Sequence, residues 1–452
     1  MDCVAEALMK GGLRRRSFSE GWAVPAVALA EEGELEIDNY SYFPDCIMHK
    51  TRCGLRFRQK CGAIFLAHAF HFITKPTITM VRATAILAFG TCVLMACNSS
   101  SNNTTSAADT ATTDAKTATT DNNALKPSGP KPSWAPGIKD EMQVVIDKLA
   151  SYGDPPIPTV SAQEARKLHT PTDAVMDVMK EHNISMPAPQ VDTMGKDIPV
   201  AGGMEHLRIY TPKSGNGPFP LIVYYHGGGW VIADVNVYNS SAQAMAEQVG
   251  AVVVSVNYRQ GPEHKFPTAH NDAFTAYQWA LQNAASIKAD PKRIAVVGES
   301  AGGNLACAVS MMARDRGVMV PLYQVLVYPI AGADTTTESY KSNQQSKPLN
   351  SPMMGWFFKN YLNTMSEGKD PRISLVAANL KGLPPTTIIA ASIDPLLSEG
   401  KMLSDKLKDA GVKVNYQLYD GVTHEFFGMA TVVPQAKDAQ GVAASDLKGA
   451  LK

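Results

Sequence analysis

A lone serine between glycines, in Gly298-Glu299-Ser300-Ala301-Gly302, falls where an apolar strand-like run at residues 294–298 gives way to a helix-like one. A sharp strand-to-helix join needs glycines so that the two backbones can approach. It leaves the serine hydroxyl standing above a sheet, with the first amides of the new helix aimed at whatever lies over it. Such a hydroxyl is a poor nucleophile without a base. Of the ten histidines, only His424 follows Ser300, in the stretch YDGVTHEFFG after the last strand-like run. An imidazole there can take the serine proton and return it to a leaving group, while a carboxylate holds its tautomer without taking the proton. Seven aspartates lie between the two: Asp315, Asp334, Asp370, Asp394, Asp405, Asp409 and Asp420. Only Asp394 directly ends a strand-like run, TTIIAASID, with Pro395 stopping the strand. Glu399 is the second choice for the acid.

Acyl transfer at Ser300 also requires donors for a developing oxyanion, each worth about 3–4 kcal/mol. The stretch YYHGGGW at residues 224–230 supplies three glycines after a strand. A loop of this HGGG type is the usual partner of a serine placed on such a turn. Gly228, Gly229 and Ala301 are therefore the expected oxyanion donors. The triple glycine is not a phosphate loop, because the lysine of that motif is missing, and His424-Glu425 lacks the second histidine of a metalloprotease helix.

Around these motifs, strand-like runs (HLRIYTP, LIVYYHG, AVVVSVNY, RIAVVG, LYQVLVYP, TTIIAAS, VNYQLYD) alternate with helical segments such as residues 271–281 and 401–410. That alternation predicts an α/β fold with a mainly parallel sheet covered by helices on both faces, its working residues on loops at the carboxyl ends of strands. Ahead of the strands, Met142, Val145, Ile146 and Leu149 recur at helical spacing, and Ser161 with Glu164 forms a capping-box pattern.

Taken in order, His226-Gly-Gly-Gly-Trp230, YRQGPEHKFP, DPKRIAVVGESAGGNLA, LVYP, DPLLSEG and the loop of His424 resemble the bacterial hormone-sensitive-lipase family of serine esterases, over about residues 198–429. The resemblance implies an α/β-hydrolase fold with Ser300, Asp394 and His424 as the triad. It also implies Gly228, Gly229 and Ala301 as the oxyanion hole, no cofactor, no metal and a small-molecule ester substrate. Three positions depart from the family pattern: Glu299 stands where Asp or Thr is commoner, Gln260-Gly261 replaces Leu-Ala, and Glu425 follows the base where Gly is frequent. A carboxylate at 425 is expected to raise the pKa of His424. The family's helical cap maps to about residues 138–199 and 351–363, where Met176, Met179, Met354, Trp356 and Phe357 fit either the lining of an acyl pocket or ordinary packing of the cap. An amidase, arylformamidase or carbohydrate deacetylase would use the same triad. A catalytically silent ligand-binding member of the fold would be expected to have lost the nucleophile or the base.

Forty-two basic and 42 acidic residues leave no net charge, so bulk electrostatics give no reason to expect a nucleic-acid partner. Six of the seven cysteines fall in the first hundred residues, and Cys46, Cys53 and Cys61 fit no zinc spacing. Residues 80–97, MVRATAILAFGTCVLMAC, combine a basic start, an apolar run of signal-peptide length and small residues before a cysteine. The ending Leu94-Met95-Ala96-Cys97 resembles the lipobox of bacterial lipoproteins. The expectation is translation from Met80, with residues 1–79 outside the native product, a lipoprotein-type signal peptide at 80–96 and a lipid anchor on Cys97. Residues 97–133, rich in Ser, Thr, Asn and Ala, are expected to form a flexible tether, followed by a hydrolase domain over 134–452. The protein would then be an exported lipoprotein of the cell envelope, with the outer membrane favoured because Asn98 rather than Asp follows the cysteine.

Overall fold

The computed structural model describes residues 125–452 and, before them, an antiparallel pairing of Tyr42–Phe43 with Cys46–Ile47. The expectations for the leader, Cys97 and most of the tether lie outside the described residues. The tether's expected last part, 125–133, is instead docked on the body: Leu125 is buried, and Gln143 Nε2 donates to the carbonyls of Gly129 and Pro130. Leu125 is the first large apolar side chain after residues 98–124, so a hydrophobic anchor begins there.

Eight strands form one sheet: β1 (Val191–Val200), β2 (Gly203–Pro212), β3 (Phe219–Tyr225), β4 (Val252–Asn257), β5 (Ala289–Glu299), β6 (Tyr323–Val327), β7 (Thr386–Ile393) and β8 (Val414–Thr423). Their order is β8-β7-β6-β5-β3-β4-β2-β1, with β3 to β8 parallel and β1 and β2 antiparallel. Seven of these coincide with the strand-like runs read from the sequence. The eighth, β1, lies inside the segment expected to belong to the cap. It is an edge strand burying only Val191 and Ile198, so its sequence VDTMGKDIPV carries no apolar alternation to betray it.

Because strand side chains alternate, each central strand feeds two cores. On one face Leu221, Val223, Val254, Ile294, Val296 and Leu326 pack with α5 (Thr268–Asn283) and α6 (Ala301–Asp315). On the other, Ile222, Tyr224, Val253, Ala295, Val297 and Val325 pack with α1 (Asp140–Ser151), α3 (Pro171–Glu181), α4 (Asn239–Val249) and α10 (Pro434–Ala450). The short α2 (Ala162–Ala165) carries the expected capping box, with Ser161 Oγ accepting from Glu164 N–H. Helix α8 (Ser351–Tyr361) joins the first core through Met354, Phe357, Phe358 and Tyr361. Two further helices, α7 (Glu338–Ser342) and α9 (Leu397–Asp409), flank β7 in sequence.

Candidate active site

Ser300 is the single residue between β5 and α6, with φ 56° and ψ −117°, a conformation that costs a non-glycine residue on the order of 1–3 kcal/mol. Three backbone hydrogen bonds hold it there. Its N–H donates to Val327 O at 2.9 Å, and its carbonyl accepts from Asn304 N–H and Ile330 N–H, both at 3.1 Å. The flanking glycines are required by contact: a Cβ on Gly298 would lie 2.1 Å from Gly302 O, and one on Gly302 would lie 2.0 Å from Tyr225 O. Strand β5, the start of α6 and the end of β3 therefore meet backbone to backbone.

His424 follows β8 directly and Asp394 follows β7 directly, so both stand at carboxyl ends of strands. A carboxylate can only accept, which places the proton of the imidazole on Nδ1. Nδ1–H then donates to Asp394 Oδ2 at 2.6 Å, and Nε2 accepts from the Ser300 hydroxyl at 2.9 Å. The second carboxylate oxygen of Asp394 accepts from Leu396 N–H at 2.8 Å, and its main-chain carbonyl accepts from Asn343 at 3.2 Å. All three side chains are buried. Burial alone would depress His424, but the Asp394 carboxylate, helped by Glu425 and Glu299, outweighs it and leaves the imidazole above its ordinary value. The upward pull expected from position 425 is thus present. Glu399 is not brought to His424: it is buried, pushed well above the usual carboxylate range by desolvation, and its Oε1 accepts from Ala331 N–H.

The glycine loop leaves β3 beside this relay. A Cβ on Gly227 would meet Glu299 O at 3.2 Å, and one on Gly229 would run into the Phe357 ring of α8 at 2.2 Å. Gly228 and Gly229 have φ of 91° and 58°. The N–H groups of Gly228, Gly229 and Ala301 donate to no protein acceptor among the described residues. The loop is braced from behind by Tyr258, whose hydroxyl donates to the carbonyls of His226 and Gly227 and whose ring stacks on His226 at 4.3 Å.

Next to the relay lies a cluster the sequence reading did not assemble. Glu299 is fully buried and receives hydrogen bonds from Tyr224 and Tyr328. Burial foremost, and then the neighbouring Glu425, push it up to about 7 against the opposing pull of those hydroxyls. Glu425 accepts from the Tyr238 hydroxyl at 2.6 and 2.7 Å, and its Oε1 lies 3.8 Å from His424 Nε2. Both carboxylates line a cavity of about 360 Å³ bounded by α3 and the loop after His424. Of the five side chains offered for an acyl pocket, Met176 and Met179 line this cavity, whereas Met354, Trp356 and Phe357 are not in its lining.

A mainly parallel eight-stranded sheet, a serine on a strained strand-to-helix turn and a histidine and aspartate at later strand ends define an α/β-hydrolase. The chain belongs to that family: residues 222–428 match the family model described as alpha/beta hydrolase fold. It is 33% identical over 300 residues to the carboxylesterase NlhH of Mycobacterium tuberculosis, covering 65% of this chain and 89% of that one. It is 30% identical over 236 residues to an ethyl acetate hydrolase of Pseudomonas putida, covering 51% and 74%. The solved structure of a thermostable esterase from Pseudomonas putida ECU1011 superposes with a TM-score of 0.64 at 30% identity, over 70% of this chain and 99% of that one. A hyperthermophilic esterase from Pyrobaculum calidifontis gives 0.60 at 34% identity, over 65% and 95%.

Proposed function

We propose that the protein is a serine carboxylesterase for short- to medium-chain acyl esters. Ser300 Oγ attacks the ester carbonyl as His424 Nε2 takes its proton, and Asp394 stabilises the resulting imidazolium. The amides of Gly228, Gly229 and Ala301 receive the oxyanion. His424 then gives the proton to the departing alcohol, and a water activated by the same nitrogen releases the acyl group from Ser300. The observation that carries this reading is the continuous hydrogen-bond relay from Asp394 through His424 to Ser300, beside amides that have no other acceptor among the described residues. The relatives' activities, carboxylesterase and ethyl acetate hydrolase, agree with it.

Ser300→Ala tests it. Turnover of p-nitrophenyl acetate should fall by about 10³-fold or more with the melting temperature retained, and wild-type-like turnover in that variant would remove Ser300 from the mechanism. Profiling a series of p-nitrophenyl acyl esters and the matching anilides would bound chain length and separate esterase from amidase action. For the segment ahead of the body we propose export as a lipoprotein tethered through Cys97, on the strength of the Leu94-Met95-Ala96-Cys97 motif. Mass spectrometry of the envelope fraction should find residue 97 as a lipidated N-terminus; an unprocessed chain there would end that proposal.

A further inference from the structure

We infer that the cavity beside Glu425 receives the alcohol half of the ester and selects alcohols that carry a positive charge, an ammonium group above all. This rests on the reading of Ser300, His424 and Asp394 as the reacting groups.

The placement follows from where a proton must travel. Ser300 Oγ bonds to the acyl carbon, the bond from that carbon to the alcohol oxygen breaks with its electron pair going to oxygen, and the oxygen collects the proton held on His424 Nε2. The alcohol must therefore depart against Nε2. Besides the Ser300 hydroxyl, the polar side-chain atom recorded beside that nitrogen is Glu425 Oε1, at 3.8 Å. Glu425 opens into the 360 Å³ cavity, a volume within the range of small-molecule sites, whose walls include Val175, Met176, Met179 and Met186.

The lining brings acceptors close to His424, Glu425 Oε1 standing 3.8 Å from its Nε2. Glu425 is held by the Tyr238 hydroxyl, which leaves its two oxygens with lone pairs to offer. Glu299 adds a second carboxylate, and Ser241, fully buried in the same lining, has an Oγ with no hydrogen-bond partner among the described residues. Arg208 also lines the cavity; its guanidinium donates to Val235 O and to the side-chain oxygens of Asn236 and Asn239, neutral acceptors that leave its charge in place, so the lining sets two carboxylates against one guanidinium. A cation leaving with the alcohol would thus meet carboxylate oxygens in the lining and polarizable thioether walls along its alkyl groups. An alcohol bearing a carboxylate would be repelled by the same oxygens.

Two acetate esters of equal shape isolate the charge: acetylcholine and 3,3-dimethylbutyl acetate, which differ by nitrogen for carbon. With the full chain at pH 8 and low ionic strength, kcat/KM for the charged ester should exceed that for the neutral one by about tenfold. The ratio should shrink in about 0.5 M salt. It should also fall several-fold in Glu425→Gln and in Met176→Lys, which adds an ammonium group to the wall from a position 52% exposed. If Glu425→Gln does not fold, Met176→Lys decides. A wild-type ratio of one or less, a ratio unchanged in the folded variants, or a preference seen only when the charge sits on the acyl half would each overturn the inference. Loss of both esters as substrates, or turnover surviving Ser300→Ala, would instead strike the underlying reading.

Discussion

Gly302→Ala is the substitution whose consequence the coordinates constrain most tightly. A Cβ on this second residue of α6 would lie 2.0 Å from Tyr225 O and 2.5 Å from His226 O, where β3 passes into the glycine loop. An ordinary carbon–oxygen contact is about 3.3 Å, so helix and loop must part by about 1 Å. Neither neighbour can swing aside, because both are main-chain carbonyls. Overpacking of this kind costs about 1–3 kcal/mol, which for a domain of this size lowers the melting temperature by roughly 1–4 °C. The effect on rate should be larger. A displacement of about 1 Å between reacting groups costs about 10²-fold, and loss of one oxyanion donor about 10²–10³-fold. Because those donors act on the transition state, kcat should fall by about 10²–10³ while KM changes little. Gly441→Ala is the control: that glycine is exposed on α10 with nothing within 4 Å of the added carbon. It should gain about 0.5–1 kcal/mol of stability and keep full turnover. Initial rates of p-nitrophenol release, with melting curves on the same samples, measure both. A Gly302→Ala enzyme within a few-fold of wild-type kcat would show that the close meeting of α6 and β3 does not set the geometry of the site.

Asp394→Asn should lower kcat by about 10⁴, since an amide no longer fixes the Nδ1–H tautomer. It should also move the acid limb of kcat/KM to lower pH, because the carboxylate helps hold His424 above its ordinary value; a limb that stays in place would separate Asp394 from the base. Glu299, raised from 4.5 to about 7 chiefly by burial, keeps in the folded state a proton that the unfolded chain releases. Stability should therefore fall by about 3 kcal/mol as pH rises from about 4.5 through 7. Because Glu399 and His424 are also raised and add slope of the same sign, Glu299→Gln should remove only about that much of the stability difference between pH 5 and pH 8 in urea unfolding, and an unchanged difference would assign the titration to other groups.

The legible parts of the fold and site were those with local or ordinal signals. Seven strands were apolar runs of the right length, whereas β1 was hidden because an edge strand with six consecutive exposed residues needs no apolar alternation. Ser300 was marked by glycines that a tight join demands, and His424 by being the one histidine downstream of it. Asp394 was singled out among seven aspartates by ending a strand run just before a proline. The docking of residues 125–133 was missed because composition averages over a segment, while a single Leu125 suffices to anchor its end.

The cluster of Glu299, Glu425, Tyr224, Tyr238 and Tyr328 has no local pattern, since its hydrogen bonds join residues as far as 187 positions apart. One inference was nonetheless within reach. If Ser300 and His424 meet, the residues before and after them must also be near, and in this chain both are glutamates. A buried acid at 299 is costly unless its oxygens are occupied. The tyrosines that occupy them come from the penultimate residue of β3 and from the residue after β6, the strands on either side of β5. Glu299 therefore ties together the carboxyl ends of three adjacent strands at the level where the serine stands. Glu425 does the same for the loop of His424 through Tyr238 at the start of α4. The two departures at these positions thus act as brackets, one on the strand ends around the serine and one on the loop of the histidine, and the carboxylates they bring to the cavity follow from that structural task.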